Sequence, residues 1–263
     1  IKNFLLAADR GLGNGETPIF PVSIFKVKEG VNYNKEDPNY DLFRLACQVS
    51  AKRLFPNFAF IDAPFNLQYY KEGNPDTEIA YMGCRTRVVG DVTSPDNEIV
   101  TGRGNLSFTT INLPRLGIKY GVALKERDKA DMKGFYEELG QIMDLVRDQL
   151  LERFEVQCNK RCYNFPFLLG QGVWTNGEKL KPTDRLRKVW KHGTLSTGFI
   201  GLAECLKALT GKHHGESEES QKLGLEIIKF MRERCNENSK KYNLNFTCLA
   251  TPAEGLSGRF TGI

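Results

Sequence analysis

Residues 81–87 of this 263-residue chain read YMGCRTR, and residues 102–117 read GRGNLSFTTINLPRLG. In the first stretch, Cys84 follows a glycine and stands beside arginines whose positive charges favour a thiolate. In the second, the β-branched and aromatic run 108–111 predicts a strand, entered through two glycines and ended at Pro114. By themselves these residues also fit a hairpin with a buried, unreactive cysteine, because free cysteine commonly behaves as a small apolar side chain.

The composition is that of a globular protein. Apolar residues make up 40% and charged residues 26% of the chain, and its length suffices for one large α/β domain or two small ones. Because no low-complexity linker or internal repeat interrupts it, we predict one domain. The net charge of +5 suits an anionic ligand such as a nucleotide. Basic and aromatic residues do not interleave as in a nucleic-acid platform, no apolar run has the roughly 20 residues of a membrane span, and no signal peptide opens the chain.

Seven cysteines are spread along the chain without a closely spaced, even framework. This usage predicts free thiols in a reducing, cytoplasmic environment. Cys158 and Cys162 form a C-x3-C pair, but a zinc site needs two further ligands, and the chain holds only three histidines. We therefore predict no metal site within these residues.

Apolar periodicity predicts strands that alternate with long helices, the pattern of an α/β fold with a mostly parallel sheet. The helix over 129–159 is the clearest, because its apolar residues form one stripe. Asp41 is predicted to cap the helix over 41–54, and Ser196 or Thr197 is predicted to cap the helix over 197–209. The predicted strands cover 19–27, 58–61, 108–111 and 244–250, and the predicted helices cover 41–54, 129–159, 197–209 and 217–242.

Three further places carry residues that suit a ligand site. Asn105 offers both a donor and an acceptor, although a turn asparagine before a strand is an equally simple interpretation. His192 fits either a general base or a structural histidine. A strand, a turn and a helix start follow one another around residues 251–257, where free backbone N–H groups favour phosphate. The candidate ligand-binding residues of this turn are Thr251, Pro252, Ala253, Glu254, Gly255 and Ser257, of which Glu254 would repel phosphate and has no assigned role.

Four motifs in order resemble one family. They are 81–87, 102–105, 192–202 (HGTLSTGFIGL) and 245–260 (NFTCLATPAEGLSGRF). Together they are similar to the cysteine-loop region and following segments of the anaerobic (class III) ribonucleoside-triphosphate reductases, which are glycyl radical enzymes. The resemblance covers nearly the whole chain.

The resemblance implies a fold and a placement. The fold would be part of the ten-stranded α/β barrel of glycyl radical enzymes and ribonucleotide reductases, with the cysteine on a loop inside it. Residues 1–263 would be one piece of this catalytic barrel, with a cysteine loop at about 78–105 and a phosphate-side strand, turn and helix at about 244–263. Because the chain opens on Ile1 and stops just after a motif, we expect an internal fragment of a longer protein.

The resemblance also implies an activity: anaerobic reduction of ribonucleoside triphosphates to 2′-deoxyribonucleoside triphosphates for DNA replication. Cys84 would carry a transient thiyl radical, Asn105 would lie beside the ribose, and His192 with the turn after Thr251 would contact the substrate. No cofactor is expected within this chain. The parent protein would use a glycyl radical, a structural zinc, and formate or a thiol protein as reductant.

The implied partners are nucleotides, ATP among them, a radical SAM activating enzyme and a second copy of the parent protein. Alone, the 263 residues are expected to be inactive, because they hold no residue that stores the radical.

Two alternative functions stay open. A formate-acetyltransferase-type lyase is disfavoured because such enzymes pair two adjacent cysteines, and Cys84 has no cysteine neighbour. An inactive nucleotide-binding or structural fragment is the other.

Overall fold

A computed structural model describes residues 1–18, 20–81, 86–88, 90–97 and 99–252. The chain divides into two compact units, Ile1–Gly90 with Glu98–Thr101, and Asp91–Asn97 with Gly102–Ile263. That residues 1–263 form one piece of a catalytic barrel stays a prediction.

The described residues of the first unit form a two-stranded parallel sheet and three α-helices. Its elements are α1 (Lys2–Arg10), β1 (Ile24–Val27), α2 (Tyr40–Arg53), β2 (Asn57–Phe60) and α3 (Pro64–Leu67). Parallel neighbours need a crossover connection, and α2 provides it between β1 and β2. The core of this unit is formed by the buried side chains Leu5, Phe25, Val27, Ala46 and Val49.

Two predicted boundaries in this unit are wrong. The strand predicted from residue 19, which itself lies outside the described residues, begins only at Ile24. Pro21 lacks the N–H that a strand donates to its neighbour, which delays the pairing. Helix α2 begins at Tyr40 with Asn39 at its N-cap position, so Asp41 is not the cap and instead lies in the first turn. There its negative charge still suits the helix dipole.

Up to residue 252, where the description of the chain ends, the second unit contains a three-stranded sheet and five α-helices. Its elements are β3 (Asn105–Asn112), α4 (Leu113–Tyr120), α5 (Met132–Cys158), α6 (Arg187–Trp190), β4 (Thr194–Ile200), α7 (Leu202–Thr210), α8 (Glu218–Tyr242) and β5 (Asn245–Ala250). The strand order is β3-β4-β5, and both pairs are parallel. The predicted α/β class with a parallel sheet is confirmed. Short 3₁₀ helices span Pro75–Thr77 in the first unit, and Cys162–Asn164 and Gly177–Lys179 in the second.

One face of the second sheet packs against α5, whose predicted apolar stripe is confirmed. The buried side chains along that stripe are Phe135, Leu139, Val146, Leu150 and Phe154. The sheet adds Ile111, Leu195 and Phe246 to the same core. Burying one such side chain stabilises the fold by about 1.5–3 kcal/mol. Among the described residues, no helix is both long and apolar enough to cross a membrane.

The helix predicted over 197–209 is wrong in its first turns. Residues 194–200 form β4, and α7 begins only after Gly201, whose φ of +68° is a conformation that glycine adopts without strain. β4 is the central strand, so its backbone bonds to a neighbour on each side, and its threonines, phenylalanine and isoleucine favour a strand. Ser196 and Thr197, predicted as helix caps, instead lie on opposite faces of the sheet.

Helix α4 is absent from the sequence prediction. Pro114, predicted to end a strand, is the second residue of α4, where a missing backbone N–H costs nothing. The preceding Asn112 caps the helix, because its Oδ1 accepts a hydrogen bond from the backbone N of Arg115 at 3.1 Å.

Helices α4 and α7 approach so closely at Gly117 that a Cβ there would lie 2.7 Å from the backbone oxygen of Cys205. We expect Gly117→Ala to lower the free energy of unfolding by about 1–3 kcal/mol, because the backbones must separate. Gly140→Ala in α5 is the control, since its nearest neighbour, Arg234 Nη1, is 3.7 Å away. That change should be neutral or stabilise by up to about 1 kcal/mol. Urea unfolding followed by circular dichroism measures both, and equal effects would contradict the close approach.

Candidate active site

The face of the β3-β4-β5 sheet opposite α5 carries small polar side chains. We call it the polar face, and its members are Asn105, Thr110, Thr194, Ser196 and Thr247. Alternation along a strand places every second residue on one face, and the hydrogen bonds that join Asn105, Thr194, Ser196 and Thr247 agree with that placement. Thr110 pairs with Gly198, two residues after Ser196, and so lies on the same face. Thr194 and Ser196 are buried, whereas the other three are partly exposed.

Asn105 is the centre of this polar face. Its Oδ1 accepts a hydrogen bond from Thr194 Oγ1 at 3.2 Å and another from Ser196 Oγ at 3.1 Å. Ser196 Oγ also lies 2.8 Å from Thr247 Oγ1. Three adjacent strands therefore contribute to one connected set of hydrogen bonds.

A shift in strand register puts Asn105 on this face. Asn105 pairs with Thr194, but Ser107 pairs with the very next residue of β4, Leu195, so β3 holds one extra residue there. Such a bulge reverses the alternation on one side of it and can re-aim a side chain. Leu106 packs with the apolar core instead.

At the carboxyl end of the sheet, the polar face continues into residue 251. Thr251 Oγ1 lies 2.9 Å from Thr110 Oγ1, and the Thr251 backbone N donates to the Phe199 carbonyl at 3.0 Å. Gly198 lies beneath this pair, where a Cβ would come within 2.2 Å of Thr251 Oγ1. The chain therefore needs a residue without a side chain at 198 for these two hydroxyls to meet.

At the amino end of the sheet lies a buried polar network around Asp91. His192 Nδ1 lies 2.7 Å from Asp91 Oδ2, and Asn245 Nδ2 donates to Asp91 Oδ1 at 3.1 Å. Arg103 Nε donates to the His192 carbonyl at 2.8 Å and lies 3.9 Å from Asp91 Oδ2. The side chains of Asp91 and Arg103 are 3% and 0% exposed, so this is a buried ion pair. It holds residue 91 and residue 103 against the starts of β4 and β5.

Asp91 stays ionised in this network. Burial alone would raise its pKa. Hydrogen bonds from His192, Thr93 and Asn245 outweigh burial, and the positive charge of Arg103 acts in the same direction. The pKa of Asp91 therefore lies well below the usual range of an aspartate.

His192 is buried within this network. Its ring is engaged by Asp91, and its backbone carbonyl accepts from Arg103. Both contacts fit the structural interpretation of this histidine. The general-base interpretation stays a prediction.

Several predicted site residues lie outside the described part of the chain. They are Cys84, Ala253, Glu254, Gly255 and Ser257. Of the predicted phosphate-side turn, the structure describes Thr251 and the exposed Pro252. That Cys84 carries the radical and that Asn105 lies beside the ribose stay predictions.

Two of the described thiols are suppressed as nucleophiles by their surroundings. Burial raises the pKa of Cys158 to about 11 and that of Cys205 to about 12. Because the thiolate is the reactive form, these two cysteines are packing residues.

A sequence profile described as "Anaerobic ribonucleoside-triphosphate reductase" matches residues 1–263, the whole chain. The chain belongs to the anaerobic ribonucleoside-triphosphate reductase family. The resemblance drawn from the four motifs is thereby confirmed.

Curated relatives that are similar to the chain carry the same family name. The anaerobic ribonucleoside-triphosphate reductase of Haemophilus influenzae is 31% identical over 255 residues, which cover 95% of this chain and 33% of that protein. The enzyme of the same name from Enterobacteria phage T4 is 33% identical over 254 residues, or 95% of this chain and 38% of that protein. The chain thus spans about a third of the length of the curated relatives it matches.

Solved structures of anaerobic ribonucleotide reductases share the fold. The Thermotoga maritima enzyme with citrate in the active site superposes with a TM-score of 0.51 at 16% identity, over 89% of this chain and 36% of that one. The same enzyme in complex with dATP and CTP gives 0.50 at 15% identity, over 89% and 33%. The predicted α/β fold of anaerobic ribonucleotide reductases is confirmed.

Sequence reasoning missed most of the residues that surround Asn105. Ser196 is predicted as a helix cap, and Asp91 falls in the polar connection that follows the Cys84 motif. The signal that was present is the polar content of an otherwise apolar central strand: hydroxyl residues stand at 194, 196 and 197. Buried polar side chains in a strand need partners, and alternation would have put Thr194 and Ser196 on one face.

Proposed function

We propose that the full-length protein containing this chain reduces ribonucleoside triphosphates to 2′-deoxyribonucleoside triphosphates by thiyl radical chemistry. The observation that carries this proposal is the family match over residues 1–263. The product supplies DNA replication, and the working compartment is the cytoplasm.

Cys84 carries the radical in this proposal. Its sulfur takes the hydrogen atom from ribose C3′, so an S–H bond forms as the C–H bond breaks. A glycyl radical stored elsewhere in the full-length protein would supply the unpaired electron. The two bonds are close in strength, which is why a thiyl radical suits this step and an acid or base does not. The cysteine must be held near the sugar and away from water, which favours a rigid loop inside the fold.

The polar face receives the sugar in this proposal. Hydroxyl and amide groups are matched to ribose hydroxyls, and Asn105 is the partly exposed amide among them. The residues that follow β5, Thr251 to Ser257, hold the phosphates through backbone N–H groups of the turn and helix start predicted there from the sequence. The Thermotoga maritima enzyme was crystallised with dATP and CTP, which supports nucleotides as the ligand class.

Further components belong to the full-length protein. We propose a structural zinc, formate or a thiol protein as reductant, a radical SAM activating enzyme, and a homodimer. Within the part of the chain that the structure describes, no group of three or more His, Cys, Asp or Glu side chains is arranged to hold a metal ion. No step proposed here passes through a metal.

The experiment is an anaerobic assay of the activated full-length protein with CTP, measuring dCTP. Asn105→Ala should lower kcat/KM by about 10–100-fold, because one or two hydrogen bonds to the substrate are lost. Asn236→Ala, an exposed asparagine of α8, is the matched control and should change nothing. An activated wild-type protein that forms no deoxynucleotide would contradict the function. An unchanged kcat/KM for Asn105→Ala would remove that residue from the site.

A further inference from the structure

We propose that Thr194 and Ser196 are positioning residues that hold the side-chain amide of Asn105 in one orientation, with its Nδ2 N–H group turned towards the substrate. This inference rests on the proposed contact between Asn105 and the sugar. It adds a direction to that contact: Asn105 donates to a substrate oxygen and does not accept from a substrate hydroxyl.

The first step is the occupancy of the Asn105 carbonyl. An amide oxygen has two lone pairs, and both are engaged here, one by Thr194 Oγ1 at 3.2 Å and one by Ser196 Oγ at 3.1 Å. Asn105 remains partly exposed. No described residue accepts a hydrogen bond from its Nδ2, so the amide's two N–H groups are the part left for a ligand.

The second step is the direction of the hydroxyl chain. Each hydroxyl has a single proton. Ser196 gives its proton to Asn105, so in the 2.8 Å contact with Thr247 the donor is Thr247. The hydrogen bonds therefore run from Thr247 to Ser196 to Asn105, and every hydroxyl proton in the chain has an acceptor.

The third step is the cost of turning the amide over. With Nδ2 facing β4, Ser196 would have to turn its proton to Thr247, and the proton that Thr247 gives to Ser196 would lose that acceptor. The Thr194 hydroxyl is buried, and its one acceptor among the described side chains is Asn105. A flipped amide would leave that proton unpaired in the interior, which is unfavourable. The hydroxyl of Thr194 thus selects the orientation, and Ser196 reinforces it.

The fourth step is rigidity. Both positioning residues lie on the central strand, whose backbone is bonded to β3 and to β5. Thr194 is β-branched, so its side chain has few alternative conformations. The orientation of the amide is therefore set before a ligand arrives, which lowers the entropy lost in reaching a reactive geometry.

The test is turnover of CTP by activated full-length variants. Thr194→Val and Ser196→Ala should each lower kcat by about 3–10-fold, because a reoriented amide weakens one hydrogen bond to the reacting sugar. Thr194→Ser keeps the hydroxyl and should stay within about twofold of wild type. Thr109→Val is the matched control, since the Thr109 hydroxyl bonds Gln149 on the opposite face of β3. It should also stay within about twofold.

Circular dichroism and the glycyl radical signal in electron paramagnetic resonance identify any variant that does not fold or cannot be activated. If Thr194→Val unfolds, Ser196→Ala, which removes a single oxygen atom, decides the matter. Wild-type kcat in the folded Thr194→Val or Ser196→Ala variants overturns the inference, and so does a loss in Thr194→Ser equal to that in Thr194→Val. Asn105→Ala, assayed alongside, separates the inferred orientation of the amide from the proposed contact between Asn105 and the sugar. If Asn105→Ala too has wild-type activity, the proposed sugar contact is wrong.

Discussion

Cys84→Ser in the full-length protein should lower deoxynucleotide formation by about 10³-fold or more, as expected when a group that forms the reacting bond is removed. An O–H bond is stronger than the S–H bond it replaces, so a serine does not give up its hydrogen atom to a stored carbon radical. The stored radical should still form. Electron paramagnetic resonance of the activated variant measures that radical, and conversion of CTP to dCTP measures the loss.

Cys47→Ser provides the control for Cys84. Cys47 is an exposed free cysteine in α2, where serine fits without a cavity. Its variant should retain wild-type turnover. Substantial turnover by Cys84→Ser would contradict the assignment of the radical to this residue. Equal losses in both variants would point to a general sensitivity of the protein to cysteine replacement.

Asp91→Ala should destabilise the protein by about 3–5 kcal/mol, the range found when one partner of a buried ion pair is removed. The change deprives the buried Arg103 guanidinium of this counter-ion and takes acceptors from His192 and Asn245. Asp144→Ala is the control, because the Asp144 side chain is 44% exposed where it pairs with Arg147. Its effect should stay within about 1 kcal/mol. Urea unfolding at neutral pH measures both changes, and a loss for Asp91→Ala no larger than the control would contradict the buried pair.

The same carboxylate gives stability a pH dependence. The pKa of Asp91 is lower in the folded protein than in the unfolded chain, so its contribution is complete above the unfolded value of about 4 and is lost as pH falls through the folded value. The difference in unfolding free energy between wild type and Asp91→Ala should therefore be constant near neutral pH. It should shrink progressively as the pH is lowered below about 4.

Local signals explain which parts of the fold could be predicted from sequence. The stripe of α5 repeats over about five turns, so its helix and its buried face follow from spacing alone. Strand β4 lacks such a signal. Its hydroxyl residues resemble helix caps, and only its position between β3 and β5 makes them strand residues. Helix α4 was missed for a related reason, because Pro114 ends a strand and opens a helix equally well.

The site was predictable only where a motif named a residue. Asn105 came from its motif, but the partners that orient it lie about 90 positions further along the chain. Asp91 lies in a polar connection between elements. It is buried there, and Asn245 of β5 donates a hydrogen bond to its carboxylate. Pairings between residues so distant in sequence are made by the parallel sheet, which brings the starts of three strands together. Composition and periodicity carry no information about them.

The extra residue in β3 makes the register of the strands a determinant of the site, independent of residue identities. From residue 105 to residue 107 the chain advances two positions while β4 advances one, and this brings Asn105, and not Leu106, opposite Thr194. In a continuous register without the bulge, Leu106 would pair with Thr194 and send an apolar side chain to the hydroxyls, and Asn105 would turn towards the helices. Every amino acid that carries the chemistry would still be encoded. Single substitutions that keep the backbone pairing leave this determinant unchanged, because it is set by the register and not by the residue types.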